Sequence, residues 1–285
     1  SFDRVNRGIL HFYKSEADFA HAHKVTDLLA KAGLSRRRLT ADEVYAIEPA
    51  MRAPVIGGYY TESDFTGDIH KFATGLAEAA RNQGVSFVMN TEVEDIKHQH
   101  AKPLLTWKTS TGEVENGLFD GIVVTAGVMS RKLAAKLGDR VNVYPVKGYS
   151  ITVDLKDTAS QTAAPTVSLL DDAAKIVTSR LGTNRFRVAG TAEISGINYD
   201  IRSDRIAPLI KWVEANFPDI STETVVPWAG LRPMMPSMLP HIGPGRKPGV
   251  YYNTGHGHLG WTLSCISAQM VGDIIHSHNN QRLAV

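Results

Sequence analysis

A single cysteine, Cys265, stands in 285 residues, which excludes a disulfide framework and a cysteine-built metal site and fits a reducing compartment. No apolar run approaches the roughly 18 residues needed to span a bilayer, and Ser1-Phe2-Asp3-Arg4 carries neither a signal nor a transit pattern. The reading is therefore of a soluble chain. An excess of one charge is also missing. With 31 Lys and Arg against 29 Asp and Glu, the net charge is too small to make nucleic acid or an anionic membrane the main partner, so charge recognition must be local. Repeats and low-complexity stretches are absent. What remains, 43% hydrophobic and 21% charged residues, is the composition of an ordinary folded chain, long enough for one large domain or two interleaved ones.

The local signals are clearest at helix starts. Ser15 and Asp18 form a capping box ahead of Phe19, Ala22, Val25, Leu29 and Ala32, with Gly33 as the stop, so the spacing predicts a helix over 16–32. Thr40 with Glu43, and Leu39 with Val44, predict a second, short helix to Ile47. Asp68 caps a third, carrying Ile69, Phe72, Ala73, Leu76 and Ala80 on one face and closed by Gly84. Ser203 caps a fourth, with Ile206, Leu209, Ile210, Val213 and Phe217 before Pro218. Strands are expected at 8–14 and 85–89, as a meander over 91–97, 104–109 and 113–116, and as a buried run at 118–125. More are expected at 144–155, 166–170, 175–180 and 185–189. The pattern is α/β at both ends around a mostly antiparallel middle, which predicts two domains sharing the chain discontinuously.

Gly255-His256-Gly257-His258-Leu259-Gly260 matches G-x-G-x-x-G between a strand at 250–253 and an apolar helix at 259–275, the context of a dinucleotide fingerprint. A Rossmann unit also needs a second strand and an acidic residue about 20 positions on. Only polar, strand-poor residues 276–285 follow, so the full unit is not there. The physical core of the motif survives: backbone free of Cβ and a helix N-terminus that favours something anionic or electron-rich. His-x-His recurs at 21/23, 98/100, 256/258 and 276/278, a scatter that reads as composition, and no metal site is expected.

Three further segments accompany that turn: Gly230-Leu231-Arg232-Pro233-Met234-Met235-Pro236, Pro240-His241-Ile242-Gly243, and Asn253-Thr254 running into the glycines and on to Trp261-Thr262. Together they resemble the C-terminal signature of FAD-dependent D-amino acid dehydrogenases (small subunit), within the glycine/D-amino acid oxidase superfamily. Val143–Ser150, Gly190–Ile194 and Thr66–Phe72 resemble the same family's central domain and middle helix. The resemblance runs nearly end to end. It implies an α/β fold with an FAD/NAD(P)-binding domain of the glutathione-reductase type over 61–140 and 228–285, and an α+β, mostly antiparallel substrate-binding domain over 1–60 and 141–227. It also implies that the chain lacks the family's N-terminal strand, G-x-G-x-x-G turn and helix, so a missing segment or second subunit is an expected partner.

The activity implied is oxidative deamination of a D-amino acid to a 2-oxo acid and ammonia. A hydride passes from Cα to flavin N5, and the electrons go on to a quinone-type acceptor. A cytoplasmic location, peripheral to the inner face of the bacterial inner membrane, is implied with it. By resemblance Arg232 holds the substrate carboxylate, for which a planar guanidinium is suited, and His258 assists as a second catalytic candidate. Tyr60, Tyr149 and Met235 would line the substrate, with Lys147 a weaker candidate. Val93 would meet the adenine. Ala126 and Gly127 would pass beside the cofactor, and Gly257, His258, Leu259, Gly260, Trp261 and Thr262 would meet the flavin. Where many relatives read Arg-Pro-x-Thr-Pro-Asp-Gly-x-Pro, this chain has Met235, Ser237 and Met238. They form either an adaptable apolar wall or core filling. Two alternatives stay open: a glycine, sarcosine or D-hydroxyproline amine oxidoreductase, and a flavin-free, non-catalytic fragment or subunit.

Overall fold

A computed structural model describes residues 1–283. The chain begins with β1 (Ile9–Tyr13), α1 (Glu16–Lys31), β2 (Arg37–Thr40), α2 (Ala41–Ile47), β3 (Gly57–Thr61) and α3 (Ile69–Asn82). A meander follows, β4 (Glu92–Gln99), β5 (Lys102–Lys108) and β6 (Val114–Leu118), then β7 (Ile122–Val124), a 3-10 turn (Gly127–Met129) and α4 (Ser130–Lys136). The middle holds β8 (Tyr144–Asp154), α5 (Thr158–Ala163), β9 (Ser168–Asp171), β10 (Ile176–Leu181), β11 (Arg185–Glu193) and α6 (Ser203–Asn216). The chain closes with β12 (Val225–Met234), β13 (His241–Pro244), β14 (Val250–Thr254) and α7 (Gly260–Leu283).

Two compact units share these elements. The first comprises residues 1–83, 148–193 and 199–230, the second 84–147, 194–198 and 231–285. The first is framed by an eight-stranded sheet in the order β12-β8-β11-β10-β9-β1-β3-β2. Within it β1 is parallel to β9 and antiparallel to β3. Its core joins Leu10, Phe12, Ile151, Val153, Leu169, Phe186 and Val188 from the strands to Leu209, Val213 and Phe217 of α6, each such side chain contributing about 1.5–3 kcal/mol on burial. The second unit has two three-stranded sheets, β13-β14-β7 and β4-β5-β6. Val124, Ala134, Leu137, Val141, Val143, Val250 and Tyr252 pack together there.

The caps explain where the early helices start. The Ser15 hydroxyl accepts from Asp18 N–H, and Gly33 follows α1 at φ +87°. Thr40 and Glu43 close a full capping box, with Leu39 and Val44 both buried beside it. Asp68 accepts from the N–H groups of His70 and Lys71. Other expectations need correction. The apolar face of α3 is not covered, and Ile69 and Leu76 are 49% and 59% exposed. Residues 85–89 form no strand and expose Val85, Phe87, Val88 and Met89, because apolar, β-branched residues make a ladder only where a neighbouring strand offers hydrogen bonds. The run at 118–125 shrinks to β7, with only Val124 buried. Ser203 is the first residue of α6 rather than its cap, and Arg202 takes the cap position with no side-chain bond to the first-turn backbone, its guanidinium pairing with Asp204 and Glu193 instead.

Candidate functional site

The second unit brings two loops to one place. β14 is parallel to β7, with Tyr252 level with Val124, so both strands release their chain at the same sheet end. The crevice outside the carboxyl ends of parallel strands is where open α/β sheets bind ligands. From β7 the chain enters Thr125-Ala126-Gly127, and from β14 it enters Gly255-His256-Gly257. A hydrogen bond between the buried hydroxyls of Ser130 and Thr254, 2.8 Å long, ties the two loops, and Thr254 Oγ1 also donates to the Gly127 carbonyl at 3.4 Å.

Gly255 and Gly257 have φ of +79° and +58°, the left-handed region open to glycine. Close packing adds a second requirement. A Cβ on Gly255 would lie 2.5 Å from Met235 Cγ, and one on Gly257 2.7 Å from Met234 Sδ. Met235 also packs against the second unit's core, so it fills space as well as walling the turn. Gly257 N–H donates to the Pro233 carbonyl at 3.0 Å, which fixes the turn to the end of β12, one residue from Arg232. Leu259 N–H returns to the His256 carbonyl and Leu263 N–H to Leu259. The first turn of a helix points its N–H groups outward from the helix end, where the dipole favours negative charge.

Whether FAD suits this crevice is decided by the space beside the backbone. A Cβ on Gly127, at φ +53°, would meet nothing within 4 Å, and one on Gly260 only His256 Cβ at 3.9 Å. Both glycines border open space beside backbone, Gly260 at the N-terminal end of α7, the setting that a flat, electron-rich group approaching backbone requires. The residues fit.

Arg232 lies on β12 and is partly buried, and burial holds its guanidinium below the usual arginine range. His258, Leu259 and Gly260 are exposed, Trp261 is half-buried and Thr262 exposed. Val93 packs against the second core, at a bulge between Val93 and Asp95 in the β4–β5 ladder. Lys147 is fully buried and donates to Asn198 Oδ1 at 2.7 Å. Tyr60 and Tyr149 belong to the first unit. There the Tyr60 hydroxyl donates to the Arg7 carbonyl at 2.8 Å, and the buried Tyr149 donates to Glu193 Oε2 at 2.5 Å. The sequence reading quoted Pro233 and Thr254 only as part of motifs and did not single out Ser130, and the roles of all three depend on contacts remote in sequence. It also passed over His256, whose Nε2 is buried without a hydrogen-bond partner and whose pKa burial pushes down. Among the described residues no group of His, Cys, Asp or Glu is arranged to hold a metal ion.

Comparison with known proteins places the chain in a family. The profile of the family described as FAD dependent oxidoreductase (DAO) matches residues 1–274. The chain is 53% identical over 274 residues to D-amino acid dehydrogenase 3 of Mesorhizobium japonicum, covering 96% of this chain and 66% of that protein. It is 40% identical to D-amino acid dehydrogenase of Dechloromonas aromatica, again covering 96% and 66%. It thus spans slightly less than two thirds of the length of these curated relatives. Among solved structures, glycine oxidase from Geobacillus kaustophilus superposes with a TM-score of 0.87 at 22% identity, covering 97% of this chain and 72% of that one, a likeness of fold. The chain belongs to the FAD dependent oxidoreductase (DAO) family, whose cofactor is FAD.

Proposed function

We propose that this chain carries part of the FAD site and the carboxylate-holding arginine of an enzyme that oxidises D-amino acids to 2-oxo acids and ammonia. The observation that carries the reading is the link between Arg232 and the glycine turn. Gly257 N–H bonds to the Pro233 carbonyl, so a partly buried guanidinium lies on the strand end fastened to the turn that opens α7. Relatives named D-amino acid dehydrogenase, at 53% and 40% identity, support the substrate class.

Gly127, Gly257, Gly260, Trp261 and Thr262 would hold FAD, with Ala126, His258 and Leu259 beside them and Val93 toward the adenine. FAD, when bound, accepts the hydride from the substrate Cα. Arg232 grips the carboxylate through two parallel N–H donors and so fixes which face of Cα is presented. The first-turn N–H groups and dipole of α7 favour negative charge at this end of the crevice. The imino acid released adds water and gives the 2-oxo acid and ammonia. His258 is assigned an auxiliary contact to the substrate, and Met235 a wall. Tyr60 and Tyr149, with hydroxyls already engaged and Tyr149 fully buried, are assigned no substrate contact.

The domain assignment follows the same reading, with FAD on 61–140 and 228–285 and the substrate cover on 1–60 and 141–227. The acceptor is a quinone, reached from the cytoplasm by peripheral attachment at the inner membrane. Among the described residues no helix is long and apolar enough to cross a membrane.

The test is the visible spectrum of the FAD-loaded protein, recorded anaerobically before and after a panel of D-amino acids. Bleaching is expected. Arg232→Met should weaken the response by about 30-fold to several thousand-fold in substrate concentration, the equivalent of about 2–5 kcal/mol. Bleaching that Arg232→Met leaves unchanged, or no bleaching by any D-amino acid, would overturn the proposal.

A further inference from the structure

The first unit holds a polar pocket of about 290 Å³ that the proposed reaction does not use. It is lined by His11 and Tyr13, on one face of β1, and by His21 of α1. Arg36, just before β2, and Asp172 and Lys175, in the β9–β10 turn, complete it. It lies at the carboxyl ends of β1 and β9, which are parallel with Phe12 level with Asp171.

The acids of this pocket accept hydrogen bonds, whereas one edge of its Arg36 guanidinium has no acceptor. Asp172 Oδ2 accepts from the Tyr13 hydroxyl at 2.6 Å and meets His11 Nδ1 at 3.4 Å. These contacts, His11 foremost, hold its pKa at about 2. Asp18 accepts from the Ser15 hydroxyl at 2.6 Å. Among the described residues no carboxylate comes within 4 Å of Arg36 or Lys175. Arg36 faces the Tyr59 ring at 5.5 Å and lies near the Tyr13 phenol. Its Nε and Nη2, the two N–H groups of one guanidinium edge, are buried with no acceptor. That edge is the fork that takes a carboxylate bidentately. Lys175 is held at φ +56°, a conformation residues with a β-carbon seldom adopt and one that tends to persist where function requires it.

We propose that this pocket binds a small monocarboxylate, gripped by the Nε and Nη2 edge of Arg36 and by the Lys175 ammonium. Entry requires the side chains covering that edge to give way. The nearby Asp18 and Asp172 carboxylates disfavour a dianion such as phosphate. A free amino acid and a 2-oxo acid share the chemistry recognised.

The test is calorimetric titration of the purified chain bearing Arg232→Met, which silences the other carboxylate-holding arginine, with acetate, pyruvate, D-alanine and inorganic phosphate in turn. Carboxylate binding is expected, weakened at least 10-fold by Arg36→Met. Lys175→Gly should weaken it several-fold while leaving the melting temperature equal or higher, since glycine suits φ +56°. Tighter pyruvate would identify an oxo acid as the ligand and tighter D-alanine an amino acid, and either supports the site. Phosphate binding alone, no binding by any carboxylate, or affinities indifferent to both substitutions would refute it.

Discussion

Substitution at Gly127 separates backbone strain from ligand space at the β7 end of the crevice. Its φ of +53° costs an alanine about 1–2 kcal/mol, and because a Cβ there meets nothing within 4 Å, packing adds no further cost. At about 2–4 °C per kcal/mol for a chain of this size, Gly127→Ala should lower the melting temperature of the FAD-free protein by about 2–8 °C. Asparagine tolerates the left-handed region better, so Gly127→Asn should lose less. FAD affinity should rank the other way. The open space that a Cβ enters is where the cofactor is placed, and the larger asparagine side chain obstructs more of it. FAD titration by fluorescence should show at least a 10-fold loss for alanine, about 1.4 kcal/mol, and a greater loss for asparagine. If affinity instead follows stability, with asparagine nearer wild type than alanine, strain explains the glycine and the placement of FAD beside it fails.

Glu48, fully buried, accepts N–H groups from Ala50, Thr166 and Val167 at 3.2, 2.8 and 3.0 Å. Glu48→Gln keeps one oxygen acceptor but turns an amide donor toward another N–H, so thermal unfolding should show a loss of about 1.5–3 kcal/mol, with Glu48→Ala worse. A glutamine variant as stable as wild type would contradict that accounting. Asp172 has a folded pKa of about 2, below the ordinary aspartate value of about 3.9. Its stabilisation is therefore fully present above pH 4 and lost as the pH falls toward 2. Melting temperature measured across that window should fall more steeply for wild type than for Asp172→Asn, and parallel curves would remove Asp172 from the acid response.

Which parts of the fold were legible follows from the range of the forces involved. Ser15, Thr40 and Asp68 each satisfy donors two or three residues away, so the residues that announce a helix also build its first turn. β3 escaped notice because Gly57-Gly58 has low strand propensity, yet the glycines are demanded by neighbours far along the chain. A Cβ on Gly57 would lie 2.6 Å from the Leu39 carbonyl, and one on Gly58 2.7 Å from the His11 carbonyl. Residues 85–89 fail in the opposite direction, with high propensity and no strand. Within the site, the glycine turn was visible as a pattern, whereas the Ser130–Thr254 bond that holds it level with Gly127 joins residues 124 apart. Neither residue carries any local mark of that role.

The three glycines of the G-x-G-x-x-G turn are not equivalent, and the difference bears on what the motif is for. Gly255 and Gly257 are both required by positive φ, and at Gly255 a Cβ would also stand 2.5 Å from Met235 Cγ. A protein that bound nothing would still need them. Gly260 has no left-handed φ, and a Cβ there would meet only His256 Cβ at 3.9 Å. It stands at the first position of α7, where alanine is the better helix former. Neither conformation nor packing within this chain calls for glycine at 260. On the proposed reading the demand left is close approach to the backbone from outside, at the N-terminal end of α7. If FAD binds as proposed, the ligand-binding content of the motif resides in its third glycine and the turn of helix that follows, while the first two hold that turn against β12.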